Sequence, residues 1–182
     1  MKFLTTGILR SYLINMELKE DDRGFFSRLF CQKEFSRMGL NTNWVQINNS
    51  FSKKKSTLRG LHYQKDSNSE VKLIRCIRGE IWDVIVDLRE KSKTYGKWYG
   101  ARLSDKNRSM IYVPRGCAHG FITLKPDTEV FYLVSNFYSP ETERTLSWND
   151  KTVDINWPIL PRVISEKDKK GLKLEQISPI KL

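Results

Sequence analysis

The chain has 182 residues, 39% of them hydrophobic and 29% charged, which suits one globular domain with a proper core. No run approaches the roughly 20 apolar residues of a membrane-spanning helix, so a helical membrane protein is excluded. Thirty-two Lys and Arg against 21 Asp and Glu leave a formal charge of +11, which calls for an anionic partner. The first segment, MKFLTTGILRSYLINMELKE, has a lysine and a short apolar run. Arg10 interrupts that run and no small-residue cleavage site follows, so it reads as a first strand and not as a signal peptide. A short helix is predicted over CQKEFSRMG (31–39), ending at Gly39. Strand-type runs then follow at short intervals: KLIRCI (72–77), IWDVIVDL (81–88), KWYGARLS (97–104), SMIYV (109–113), GFITL (120–124) and TEVFYLVSNFY (128–138). Turn chemistry separates them in RGE, TYGK, SDKN, VPRG, KPDT and YSPE. One or two helical turns are expected near SEKDKK, and the apolar residues of PRVISEKD predict that part of the tail docks. There is no internal repeat and no linker, so residues 1–182 form a single unit. Strands at this spacing, without long helices between them, predict an all-β fold: a double-sheet jelly roll or closed barrel with a few short peripheral helices.

Cys31, Cys76 and Cys117 are scattered and form no C-x-x-C pair, which fits a reducing compartment and neither a disulfide framework nor a zinc site. A cytoplasmic location is expected. The densest basic clusters, SKKKS (52–56) and EKDKKGLK (166–173), form no amphipathic basic helix and carry no nucleic-acid motif. A phosphate-bearing small substrate therefore accounts for the charge better than nucleic acid or a membrane surface.

Only two histidines are present, His62 in LRGLHYQ (58–64) and His119 in PRGCAHGF (114–121). Imidazole is the one side chain whose unperturbed pKa lies near neutrality. A lone strand histidine is usually a hydrogen-bonded core residue. Here Pro114, Gly116 and His119 fit P-x-G-x-x-H, the second of two signatures of the cupins, which are small jelly-roll barrels. The first signature places another histidine two residues after the first, then a glutamate, to hold a metal. That place is Gln64 here, so no metal site is expected. Two histidines in two barrel signatures are predicted to face one cavity.

Eight blocks carry a more specific likeness: DDRGFFSR (21–28), VQINNSFS (45–52), LRGLHYQ, RGEIWDVIVDLREKSKTYGKW (78–98), VPRGCAHGFITL (113–124), EVFYLVSNFYSPETERTLSWND (129–150), INWP (155–158) and ISEKD (164–168). In their order and spacing they resemble the dTDP-4-dehydrorhamnose 3,5-epimerase family over nearly the whole chain. The resemblance implies a cupin homodimer without metal or cofactor that epimerises a 4-keto-6-deoxy sugar carried on a nucleoside diphosphate.

A 4-keto group acidifies the protons on both neighbouring carbons, so inversion needs a base on one face, an acid on the other and a cation at the enolate oxygen. By the resemblance His62 is the base and Asp168 the carboxylate that orients it. Tyr132 is then the opposite-face acid and Lys72 the cation near the enolate. Outside that pattern, Asp168 reads as a solvated charge, Tyr132 as a core aromatic and Lys72 as a strand lysine facing solvent. His119 is placed in the same sugar pocket. Arg23 and Arg59 suit the diphosphate, because guanidinium forks match phosphate oxygens. Gln46 and Asn48, two apart on a strand, point the same way and are placed at base or ribose edges. Glu143 and Lys167 match further nucleotide contacts.

The chain departs from the family pattern twice. Arg28 stands where a nucleotide-contacting glutamate is usual, and Cys117 where a phenylalanine precedes AHGF. Arg28 is expected to shift nucleotide preference, or else to face solvent or pair with Glu20 or Asp21. A single-carbon epimerase, a 3,4-ketoisomerase and a non-catalytic sugar-nucleotide-binding cupin are the competing readings.

Overall fold

Runs of β-branched and aromatic residues cut by turns form 14 strands and two short α-helices in the computed structural model, which describes all 182 residues. The first half contains β1 (Lys2–Thr5), β2 (Tyr12–Asn15), β3 (Lys19–Asp21), β4 (Gly24–Phe26), α1 (Gln32–Arg37), β5 (Gln46–Ser52) and β6 (Thr57–Gln64). Then come β7 (Lys72–Arg78), β8 (Glu80–Asp87), β9 (Trp98–Ser104) and β10 (Met110–Val113). The last part holds β11 (Cys117–Thr123), β12 (Thr128–Val134), β13 (Glu143–Thr145), β14 (Val163–Ile164) and α2 (Glu166–Lys169).

One sheet runs in the order β1-β2-β10-β7-β12-β5 and the other β13-β6-β11-β8-β9, with β14 added in parallel to β6. β3 and β4 form a separate hairpin. Successive strands β5 and β6, β7 and β8, and β10 and β11 pass from one sheet to the other. This is the jelly-roll sandwich that the strand spacing predicted.

Period-two alternation sorts each strand between layers. On β8, Ile81 and Ile85 join Ile74, Ile111 and Val130 between the sheets, while Val84 and Val86 face outward. The outward set is covered by the C-terminal segment through Leu146, Leu174, Ile177 and Ile180. The expected docking of the tail is therefore extensive, and a backbone bridge from Arg89 to Ile180 pins its end. The outer face of the other sheet, with Ile14, Leu73 and Leu133, is closed by Phe35 of α1. Fully burying one such ring is worth about 1.5–3 kcal/mol, which holds a six-residue helix too short to persist alone.

The six predicted strand runs and both helical segments appear, with shifted ends. The run expected over 128–138 stops at Val134: the chain bends there, Asn136 donates from its side chain to the Ser67 carbonyl, and Phe137 N donates to Asn136 Oδ1. Strands of two to four residues, such as β3, β4 and β13, carry too little alternation to be read locally and exist through their partners.

The glycines beside the histidines have a geometric role. Gly60 has φ +122°, and a Cβ there would lie 2.6 Å from Gly120 Cα and 2.8 Å from the His119 carbonyl oxygen. Only paired glycines let β6 and β11 approach this closely, and His62 and His119 are register partners in that pairing.

Candidate active site

A cavity of about 430 Å³ lies between the sheets, lined by Arg59 and His62 of β6, Lys72 of β7, His119 and Phe121 of β11, and Tyr132 of β12. Lys167 and Asp168 of α2 close one side. An adjoining recess of about 130 Å³ shares His62, Lys72 and Tyr132 and adds Gln46, Asn48, Glu70, Tyr138 and Glu143. The two histidines thus face one cavity, as their places in two barrel signatures suggested.

His62 Nε2 lies 2.6 Å from Asp168 Oδ1, and Gly60 N donates to the other oxygen, Oδ2, at 3.1 Å. The Asp168 side chain is buried and stands in the first turn of α2, which Ser165 caps by accepting from Asp168 N at 3.1 Å. Burial works to raise the Asp168 pKa, but hydrogen bonds from His62 and Gly60 outweigh it and hold the carboxyl below its usual range. A carboxylate on Nε2 fixes the tautomer with its proton there, which leaves Nδ1 as the ring's basic nitrogen. Nδ1 makes no hydrogen bond within the chain.

His119 has a parallel arrangement, with Nε2 2.8 Å from Asp83 Oδ2. Asp83 is completely buried, and burial pushes its carboxyl upward against the pull of His119 and Lys72. Its second oxygen, Oδ1, has no hydrogen-bond partner. Lys72 is also buried, not solvent-facing, and its Nζ sits 3.0 Å from Glu70 Oε1. Burial, reinforced by Glu70 and Glu143, raises the Tyr132 pKa against the pull of Arg59, so the phenol is protonated at neutral pH.

The other sequence-predicted residues divide into two groups. Arg59 is on the cavity wall, held by Nε donating to Ser52 Oγ at 3.1 Å and Nη2 donating to the Phe51 carbonyl at 3.0 Å. Gln46, Asn48 and Glu143 line the recess. Lys167 bridges to Glu143 at 2.6 Å, and Tyr138 Oη donates to the same carboxylate at 2.9 Å. Arg23 and Arg28 are not in this lining. Arg23, with a side chain 90% exposed, pairs with Asp21 at 2.6 Å. Arg28 faces Glu34 at 3.7 Å, so the acid beside it is neither Glu20 nor Asp21. Cys117 packs in the core between the sheets, where burial raises its thiol pKa to about 12.

Gln64, at the metal-ligand place of other cupins, is saturated by structural bonds. Its Nε2 donates to the Asn68 and Phe137 carbonyls and to Glu70 Oε2, and its Oε1 accepts from Ser139 N at 2.6 Å. No three His, Cys, Asp or Glu side chains converge at metal-binding spacing.

The sequence reading missed Asp83 and Glu70. Asp83 had a signal: a carboxylate in phase with Ile81 and Ile85 inside an apolar strand. Asp87 gives the same signal and serves structure alone, clasping Arg89, Ser92 and Thr94.

The profile described as dTDP-4-dehydrorhamnose 3,5-epimerase matches residues 5–176. A Shigella flexneri dTDP-4-dehydrorhamnose 3,5-epimerase is 41% identical over 174 residues, covering 95% of this chain and 96% of that one. The crystal structure of the Elizabethkingia anophelis enzyme of the same name superposes with a TM-score of 0.93 at 41% identity, covering 97% of each chain. The Bacillus anthracis enzyme, solved with TDP and pyrophosphate bound, gives 0.91 at 40% identity, covering 94% of this chain and 98% of that one.

Proposed function

The chain belongs to the dTDP-4-dehydrorhamnose 3,5-epimerase family, and from that premise we propose which of its side chains move the protons and bind the nucleotide. It is an isomerase of deoxysugar biosynthesis that epimerises a nucleoside-diphosphate 4-keto-6-deoxy sugar at the carbons flanking the ketone. One observation carries the assignment of roles. His62 stands on β6 of one sheet and Tyr132 on β12 of the other, and both line the same cavity. A sugar ring between them has a base against one face and an acid against the other.

His62 Nδ1 takes the proton from C3 or C5 as the electron pair moves into the C–C bond and onto the ketone oxygen. Asp168 stabilises the imidazolium that forms. The enolate oxygen gains charge near Lys72 and His119, in a site dry enough for a fixed cation to act strongly. Tyr132 Oη then donates its proton to the same carbon from the opposite face, as the enolate returns to ketone. Solvent reprotonates the tyrosine and takes the proton from His62. Repeating the cycle at the second carbon inverts both centres.

For the nucleotide, Arg59 contacts the diphosphate and Gln46, Asn48, Glu143 and Lys167 meet the ribose and base. Arg23 does not line its own chain's cavity, so a diphosphate contact from it requires the β3–β4 hairpin to reach the cavity of a second copy. The exposed Phe26 on that hairpin (64% exposed) and the exposed Ile47 and Phe51 on edge strand β5 support a homodimer. Three free thiols support a reducing, cytoplasmic setting. No helix is long and apolar enough to cross a membrane.

The test is incubation with dTDP-4-keto-6-deoxyglucose in deuterium oxide. The expected result is deuterium at both C3 and C5 with formation of the inverted sugar, and loss of both in His62→Asn. Label at one carbon alone identifies a single-carbon epimerase. No label, or near wild-type exchange by His62→Asn, overturns the assignment.

A further inference from the structure

Lys72 is the cation assigned to the enolate, yet a buried ammonium on a four-carbon stem has no fixed place of its own. Its Nζ is in ion-pair contact with a single carboxylate, Glu70 Oε1 at 3.0 Å, and the two side chains are only 11% and 10% exposed. We propose that Glu70 is a positioning residue for the epimerisation, holding the Lys72 ammonium at the enolate site and setting the negative field around the Tyr132 phenol. This role rests on the epimerase reading of the cavity.

Glu70 is well fixed for the task. Its other oxygen, Oε2, accepts from Gln64 Nε2 at 3.2 Å. Gln64 is itself locked by the Asn68 and Phe137 carbonyls and by Ser139 N. The backbone next to Glu70 is tied to the end of β12, with Val71 N donating to Ser135 Oγ at 2.8 Å and Ser135 N to the Val71 carbonyl at 3.0 Å. An unbroken set of hydrogen bonds and one ion pair thus runs from the 135–139 segment to the ammonium. Such a support converts a flexible lysine into a preorganised cation, whose stabilisation of developing charge requires no rearrangement during the reaction.

Other charged groups also face the pair. Arg59 and His62 approach from β6, Asp83 from β8, His119 from β11, Glu143 from β13 and Asp168 from α2. Of the carboxylates, Glu70 alone touches Lys72, and with burial its negative charge raises the Tyr132 pKa. Removing its charge favours the phenolate at Tyr132, so the loss of the acid moves to lower pH.

Glu70→Gln keeps the length and an acceptor oxygen but removes the charge; Glu70→Ala removes both. The experiment measures kcat and KM for deuterium exchange against pH in wild type and both variants, with thermal melts alongside. The expected result is an alkaline limb displaced by about one pH unit to lower pH in both variants. At neutral pH, Glu70→Ala loses about 10²-fold in kcat with KM little changed, and Glu70→Gln recovers most of that loss. Variants that melt lower but keep the wild-type alkaline limb and kcat would assign Glu70 to structure alone and overturn the proposal. A wild type that exchanges no deuterium would instead overturn the functional reading beneath it.

Discussion

Replacing Asp168 by asparagine changes almost no volume, yet the site offers it no good orientation. Two N–H groups point at the carboxylate, His62 Nε2 at 2.6 Å on one oxygen and Gly60 N at 3.1 Å on the other. Asparagine has one acceptor oxygen and can serve only one of them. If that oxygen stays on His62, the amide NH₂ confronts the Gly60 N–H, and an unsatisfied buried donor costs about 1–3 kcal/mol. If the amide flips, its NH₂ donates to Nε2 and the ring proton moves to Nδ1, the nitrogen that must accept the substrate proton. Both orientations leave the imidazolium without its anionic partner. A hydrogen bond to a charged group contributes about 1.5–3 kcal/mol, or roughly 10- to 150-fold in rate. We therefore expect kcat to fall by about 10²-fold with KM nearly unchanged, a smaller loss than in His62→Asn, where the base itself is gone. The assay is the initial rate of deuterium entry at C3 and C5 followed by NMR, with a melting curve to show that α2 still docks. A kcat within about threefold of wild type in a folded Asp168→Asn protein would refute the orientation of His62 by this carboxylate.

Tyr132→Phe is expected to retain some solvent exchange while losing inversion, because His62 can still remove and return a proton on its own face; equal loss of both, read by NMR, would remove the opposite-face role. Gly60→Ala should destabilise the fold by at least about 2 kcal/mol in urea unfolding, since its Cβ meets Gly120 Cα at 2.6 Å and cannot be moved aside. Activity should survive prolonged chelation, because Gln64 at the metal-ligand place is fully engaged with protein groups; elemental analysis and residual exchange check it. Melting temperature should fall as the solution is acidified below about pH 4. Asp87 and Asp168 are buried, which alone would raise their pKa values, but hydrogen bonds from Arg89 and His62 hold both below the usual range. Their contribution is therefore complete above the unfolded value of about 3.9 and is lost as pH drops through the folded values. Asp87→Asn should lower the melting temperature at pH 7 and narrow the gap to wild type in acid.

Much of the framework was legible in the chain. Alternation in IWDVIVDL and TEVFYLV, with glycine, proline and aspartate at the turns, is imposed by a backbone whose side chains swap faces at every residue. Such local patterns marked the strands, the all-β class and both short helices, and eight ordered blocks marked the family. The pairing of His62 with His119 was also within reach, because each histidine sits in its own barrel signature. What local pattern cannot specify is which face meets which. Asp83 and Asp87 occupy equivalent phases of one strand, yet Asp83 sits under His119, which β11 brings from 36 residues away, while Asp87 clasps Arg89 two residues along its own chain. Lys72 reads as a solvent-facing strand lysine until the pairing of β7 with β12 buries it and Glu70 comes to its side. Arg23 sits in a matching block, but the hairpin carries it away from its own cavity. Strand identity follows from nearest-neighbour sterics and turns. Burial, ion pairing and the facing of His62 by Tyr132 follow from long-range sheet packing, and only the folded sandwich decides them.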